Sequence, residues 1–253
     1  MQEISLLEML KSGVHFGHQL KRWHPKMEPY LYTARGGVHV IDLEQTARML
    51  REASDFISAQ VAKGGKVLLV ATKRQAQPIV RQAAEQVGMP FVTERWIGGT
   101  LTNFENISKL TRRLKDLRQK RDRGDLQKYT KHEQLQFSEE ITYLETLVGG
   151  IEDLTALPEL IFIVDTKKEK TALREARKKK IPVVAMVDSN CNPNLVDYPI
   201  PSNDDATKSI KLIVSAIVEV IGEAQKRKAA AAATEQAAPA QENAAHPTEP
   251  LQQ

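Results

Sequence analysis

A single cysteine, Cys191, stands in 253 residues, so no disulfide can form within the chain, and a reducing compartment suits it. Aromatic residues are scarce, at 5%. No stretch approaches the roughly 18 continuous apolar residues of a membrane-spanning helix. The opening segment MQEISLLEMLKSG carries Glu3 and Glu8 and no long apolar run, so it does not read as a signal peptide. It reads as a short amphipathic helix with Ile4, Leu7 and Leu10 on one face and Leu6 at its margin. Together these absences lead to the expectation of a soluble intracellular protein.

Enzyme motifs are missing as well. No G-x-G-x-x-G follows any apolar run, and no G-x-x-x-x-G-K-[ST] occurs, so no phosphate-cradling loop is expected. There is no G-x-S-x-G and no H-E-x-x-H. Cys191 lies in DSNCNPN, a turn-like loop with no evident base for a nucleophile, and reads as incidental. Asp188, Asp197, Asp204 and Asp205 form an acidic group. It suits caps and turns, Asp204 or Asp205 being placed to cap the final helix, or a divalent-metal enzyme using Asp188 and Asp204.

What is present is positive charge, unevenly spread. The net charge is +4, but residues 229–253 hold three Glu and no Lys or Arg, leaving +7 on residues 1–228. A basic folded part favours a polyanionic partner. The charge falls in clusters: Lys21, Arg22 and Lys26 around Trp23 and His24; Lys73 and Arg74; Arg95 beside Trp96; eight Lys or Arg from Lys109 to Arg123; and eight more, including Lys167 and Lys168, against two Glu in TKKEKTALREARKKK. One such run alone would read as a solvated helix face. Five, two with a tryptophan alongside, read as phosphate contacts with aromatic planes for unpaired bases, spread over a large folded RNA.

Apolar runs rich in β-branched residues alternate with helical patterns. Strands are expected at 38–43, 66–72, 90–94, 160–165 and 181–188, and the final helix from about Asp204 to Lys228. Continuous apolar strands between amphipathic helices predict an α/β, doubly wound, mainly parallel sheet covered on both faces. Residues 104–156 break the rhythm. Ile107, Leu110, Leu114 and Leu117, then Phe137, Ile141, Leu144, Val148 and Ile151, have heptad spacing on either side of a polar tip where Gly124 can turn the chain. This predicts a coiled-coil hairpin inserted into a discontinuous α/β domain of residues 1–103 and 157–228. The charged tip favours a projecting arm over helices lying flat on the sheet. Residues 229–253, rich in Ala, Gln, Glu and Pro, read as a disordered tail.

The stretch HFGHQLKRWHPK, residues 15–26, poses a metal question, since His15, His18 and His24 fall within ten positions. Two close histidines without a thiol make a poor closed zinc site, although Asp188 or Asp204 could complete one with His18. The preferred reading makes KRWHPK the RNA-facing part and HFGH a packed turn that aims it, with Gly17 permitting the bend.

The blocks GVHFGHQLKRWHPKM, YTARGGVHVIDL, VLLVATKRQAQ, RWIGGTLTNF, LIFIVD with REARKKKIPV downstream, and VDYPIPSNDDA, in this order from Leu6 to Ile221, closely resemble the bacterial and organellar small-subunit ribosomal protein S2 family. The resemblance implies a flavodoxin-like sheet with an inserted coiled-coil hairpin. It implies a non-catalytic structural role on the solvent side of the small subunit where head and body meet, binding small-subunit ribosomal RNA. The partners it implies are neighbouring small-subunit proteins and the large ribosomal protein S1, whose recruitment it assists. No cofactor, metal, membrane or small-molecule substrate is implied. The location follows as the cytoplasmic ribosome, or the plastid stroma for an organellar copy. Lys21, Arg22, Trp23, Lys26, Lys73, Arg74, Arg95, Trp96, Thr100 and Asn103 fall inside the matching motifs. Charge chemistry adds Arg112, Arg113, Lys167 and Lys168 as RNA-binding candidates. A metal-using enzyme on a nucleotide-binding fold and a scaffold acting through the hairpin alone are the rival readings.

Overall fold

The computed structural model describes residues 4–237, with side chains described through residue 231. Five strands form one parallel sheet: β4 (Val67–Val70), β5 (Phe91–Val92), β6 (Leu160–Val164), β7 (Val183–Val187) and β8 (Tyr198–Pro201), in the spatial order β5-β4-β6-β7-β8. The central runs VLLV, LIFIV and VVAMV are buried on both faces, which is why they are apolar throughout instead of alternating. Their side chains split by parity. Leu69, Phe162, Val164, Val184 and Met186 face one core; Leu68, Val70, Ile161, Ile163, Val183 and Ala185 face the other. Phe162 is fully buried, a burial that contributes roughly 2–3 kcal/mol.

Helices α2 (Leu43–Ala62), α3 (Gln77–Val87) and α7 (Thr207–Ala237) cover the first face, and α6 (Lys170–Lys178) covers the second. Gly88 ends α3 in the left-handed conformation (φ 60°), as its position after the apolar pattern predicts. The doubly wound α/β expectation therefore holds.

Three features depart from the sequence reading. First, Val38–Ile41 (β3) lies outside the parallel sheet, whose fifth strand is instead Tyr198–Pro201 (β8), a segment for which no strand is expected. β3 is the middle strand of a separate antiparallel sheet with β1 (Phe16–Gln19) and β2 (Leu31–Arg35). Gly36 and Gly37, both at positive φ, make the tight turn joining β2 and β3. Phe16, Gly17 and His18 of HFGH are thus strand, and only His15 lies in the turn before it. Gly17 is needed for close approach, since a Cβ there would sit 2.8 Å from Ser189 Oγ. Second, α1 (Leu6–Lys11) buries Met9, while Leu6, Leu7 and Leu10 remain exposed. With under two turns, the helix buries only the one side chain that α2 can cover. Third, α7 continues to Ala237, past the expected end at Lys228, because Ala229–Ala233 has the highest helix propensity of any residue type. The remainder of the expected tail, 238–253, lies outside the described residues.

The segment 104–156 is a helical hairpin. α4 (Phe104–Asp122) and α5 (Lys131–Val148) pair along a seam of Ile107, Leu114, Leu117, Ile141, Leu144 and Val148. Gly124 (φ 78°) turns the chain, and Thr130 and Glu133 form a capping box that starts α5. The basic helix zips onto an acidic one. Arg113 is bidentate to Glu140 at 2.9 and 3.0 Å, and Arg118 reaches Glu145 (2.9 Å) and Glu152 (2.6 Å). These pairs are solvent-accessible, each worth about 0–1 kcal/mol, so they set register more than stability. At the hairpin's base, Gly150 lies directly against edge strand β5, and a Cβ there would overlap the Phe91 carbonyl oxygen and ring. Gly150→Ala is accordingly expected to destabilise the chain by roughly 1–3 kcal/mol, read as a lowered urea midpoint.

Candidate nucleic-acid interface

Parallel strands end on one edge, so residues far apart in sequence meet there. β4 runs into Lys73 and Arg74, β5 into Arg95 and Trp96, β6 into Asp165, Lys167 and Lys168, and β7 into Asp188, Ser189 and Asn190. The N-terminal arm is strapped across this same edge. Ser189 Oγ accepts from His18 N–H (2.7 Å), and the Ser189 carbonyl accepts from His24 N–H (2.8 Å). Asn203 donates its backbone N–H to Val14 O (3.0 Å) and its amide to Gly13 O (3.2 Å). Lys21, Arg22, Trp23 and Lys26 are held exposed beside the β7 end, with Trp23 resting against the His39 ring at 5.2 Å.

Turn chemistry aims the β6 lysines. Asp165 takes a positive φ of 67°, tolerable for Asp, and its carboxylate accepts from the backbone of Lys167 (3.1 Å) and Lys168 (2.9 Å). Lys21, Arg22, Lys26, Arg74, Arg95, Arg112 and Lys167 are exposed, and none makes an ion pair with a described residue. Lys168 is also exposed, its ammonium donating to Thr72 O at 2.8 Å. Asn103 is exposed at the entry to α4.

Other candidates face inward. Lys73 Nζ lies 2.6 Å from Asp204, 2.5 Å from Asp205 and 3.3 Å from Asp165, so its ammonium is committed to three carboxylates. Burial alone would depress its pKa, but those carboxylates, Asp204 foremost, hold it above the ordinary lysine value. Trp96 is buried and donates its indole N–H to Glu175 (3.1 Å); Thr100 is buried and donates to Ile97 O (2.6 Å). These three serve the fold beneath the surface. Arg113 is exposed, but its fork is engaged by Glu140.

Two glutamates carry weight that the basic composition around them concealed. Glu175 accepts from Trp96, from the backbone N–H groups of Gly99, Leu101 and Thr102, and from the Thr102 hydroxyl, all within 2.8–3.1 Å. Burial pushes its pKa up, but these donors outweigh it and leave the carboxyl below its ordinary value. Glu169 accepts from the Thr72 backbone (2.8 Å) and hydroxyl (2.5 Å), and burial raises its pKa. The signal for Glu169 was spacing, since Glu169, Ala172, Leu173 and Ala176 follow i, i+3, i+4, i+7; Glu175 lies beyond the margin of that stripe and gave no such signal.

Behind the arm lies a charged core. His18 Nδ1 is 3.1 Å from Asp188 and its Nε2 is 2.9 Å from the Asn190 amide, and the hydrogen bond to Asp188 raises the His18 pKa. Asp204 does not cap α7. It points into this core, and Asn203 Oδ1 instead accepts from the backbone of Asp205 and Ala206. Burial, reinforced by Asp165 and Asp188, lifts Asp204 to about 7. His18, Asp188 and Asp204 each bring one ligand atom within 4.8 Å of the others, so the donor set could take a cation, which would compete with Lys73 for Asp204. Cys191 is buried, and burial pushes its thiol up to about 12, far from a nucleophile's range.

The family model described as Ribosomal protein S2 matches residues 9–224. Among curated proteins, the chain is 48% identical over 228 residues to the small ribosomal subunit protein uS2 of Maridesulfovibrio salexigens, covering 90% of this chain and 88% of that one. It is 51% identical over 225 residues to the protein of the same name from a Roseiflexus species, covering 89% and 86%. It is 48% identical over 225 residues to that of Dehalococcoides mccartyi, covering 89% and 92%.

The charged core makes two predictions. Between pH 3.8 and about 7 the folded chain holds a proton on Asp204 that the unfolded chain has lost, so this group's contribution falls as pH rises. His18, raised above 6.5, acts in the same sense, its contribution complete below that value and lost as pH climbs through the folded pKa. Urea titrations at pH 5–8 should show the wild type losing stability relative to Asp204→Asn as pH rises. Lys73→Met, which strands three carboxylates, should cost roughly 3–5 kcal/mol at pH 7.5 by the same measurement.

Proposed function

Because the chain belongs to the ribosomal protein S2 family, a structural and non-enzymatic component of the small ribosomal subunit, we propose that it binds small-subunit ribosomal RNA through the carboxyl edge of its parallel sheet. One observation carries this reading. Basic residues scattered through the sequence at 21–26, 74, 95 and 167–168 converge on one edge, exposed and without carboxylate partners among the described residues. Asp165, Asp188 and Asp204 are turned inward onto Lys73 and His18, and the exposed Asp205 is paired with Lys73, so the outer surface keeps most of its positive charge. Such a surface neutralises phosphates, while Trp23, 37% exposed among these cations, suits an unpaired base.

The fuller reading places the protein at the junction of head and body on the solvent side, working in the cytoplasm or, for an organellar copy, in a plastid. It includes help in recruiting the large ribosomal protein S1. Support for a protein contact comes from Leu6, Leu7, Leu10 and Phe16, which stay exposed around α1 and β1 as apolar surface of the kind partners cover. No helix among the described residues is long and apolar enough to cross a membrane.

The test is co-sedimentation of the tagged protein with small subunits at moderate salt. Lys21→Ala combined with Arg22→Ala should weaken incorporation while leaving the thermal midpoint within about 2 °C, because both side chains are exposed and unpaired. Undiminished incorporation by a normally folded double variant would count against the reading. Deleting residues 105–150 should leave RNA binding largely intact; its loss would transfer the function to the hairpin.

A further inference from the structure

The segment 167–180 holds eight Lys or Arg and two Glu, and the fold sorts them completely. Both glutamates are buried with their own donors, and all eight cations are exposed. Along α6 and its approach, Lys167, Lys170, Arg174 and Arg177 line a cavity of about 230 Å³ whose opposite wall is the loop after β7, with Asn192 and Leu195. No carboxylate lines it, and none of the four cations makes an ion pair with a described residue. Lys170 and Arg177 are seven residues apart, about 10 Å along the helix axis, or about three phosphates of a strand.

We propose that this groove between α6 and the 192–195 loop is a binding site for a short single-stranded segment of RNA. The proposal rests on the RNA-binding reading for the class of partner, but it assigns a place outside the N-terminal arm. The cations fit phosphates. Leu195, 36% exposed in the midst of positive charge, fits the face of a base or ribose. Asn192 accepts from Asn194 N–H through its carbonyl oxygen, leaving its amide nitrogen to donate to a base edge. A duplex would offer these last two residues nothing, since it turns its bases inward and meets a protein surface with phosphate and sugar.

The experiment uses the full chain and fluorescein-labelled hexauridylate, followed by anisotropy from 50 to 200 mM KCl. Lys170→Ala/Arg174→Ala/Arg177→Ala should bind about tenfold or more weakly at 50 mM. Its plot of log affinity against log salt should be shallower by about two, as expected when three phosphate contacts to a single strand are lost. Unchanged affinity and slope, or no binding of hexauridylate by the wild type, would overturn the proposal. So would equal competition by a hexaglutamate peptide, which would assign the groove to an acidic protein segment. Should the triple variant lose its thermal midpoint, Lys170→Gln/Arg177→Gln reads the same slope, shallower by about one. Loss of subunit incorporation by the Lys21/Arg22 variant, with hexauridylate binding undiminished in the triple variant, refutes the groove and spares the general reading. Normal incorporation by both variants refutes the general reading.

Discussion

The carboxylate of Glu175 is the joint on which the second face of the molecule is assembled. It gathers the Trp96 indole, three backbone N–H groups and the Thr102 hydroxyl, and so draws the 96–102 loop onto α6. A buried carboxylate is costly unless its lone pairs are filled, and five donors fill them. The loop it fixes is the entry to α4, so the orientation of the inserted hairpin starts from this one group. With Glu169, it also turns the acidic content of α6 inward, leaving the helix's outer face purely cationic. One arrangement thus builds structure on the inside and an electrostatic surface on the outside.

A second constraint sits at the switch point of the sheet. In the order β5-β4-β6-β7-β8 the crevice between β4 and β6 is where a doubly wound fold ordinarily receives a ligand. Here Lys73 from the β4 end fills it, bonded to Asp165 from the β6 end and to Asp204 and Asp205. The N-terminal arm then closes over the cluster through His18 and Ser189. A fold that elsewhere holds small ligands becomes a rigid platform, and the residues displaced from the crevice, Arg74, Lys167 and Lys168 with the arm's Lys21, Arg22 and Lys26, become its rim. The internal ion network matters because it keeps Asp165, Asp188 and Asp204 from neutralising that rim.

The hairpin shows why net charge and available charge differ. α4 is strongly basic in sequence, yet Lys109, Arg113, Lys115, Arg118 and Lys120 all have acidic partners on α4, α5 or the segment after them. Its charge is largely spent on setting the pairing of two helices. The nine-residue α6, by contrast, keeps its charge free.

Four strands of the parallel sheet and the hairpin were legible because each rests on local periodicity, with unbroken apolar runs for LIFIV and VVAMV and heptad spacing for Ile107–Leu117 and Phe137–Ile151; the fifth strand, β8, was not, because its YPIP carries two prolines and no apolar run. The antiparallel sheet was not, because β1 and β2 are half-exposed strands whose pairing with β3 is decided by Gly36-Gly37 and by close approach at Gly17. Among the site residues, Lys21, Arg22, Lys26 and Lys167 could be read from composition, since an exposed cation needs no particular neighbour. Lys73 and Trp96 could not be told apart from them, because their roles depend on Asp204 and Glu175, which chain topology alone brings near, and Thr100 turns its hydroxyl onto the local Ile97 carbonyl beneath the surface. The class of fold, the family and the sign of the surface are readable from the residues alone, all being properties of residue type and short-range spacing. Which charges reach solvent is settled in three dimensions, because a charge is cancelled by whatever the fold places within 3–4 Å of it, and such partners are far apart along the chain, as the 131 positions between Lys73 and Asp204 show.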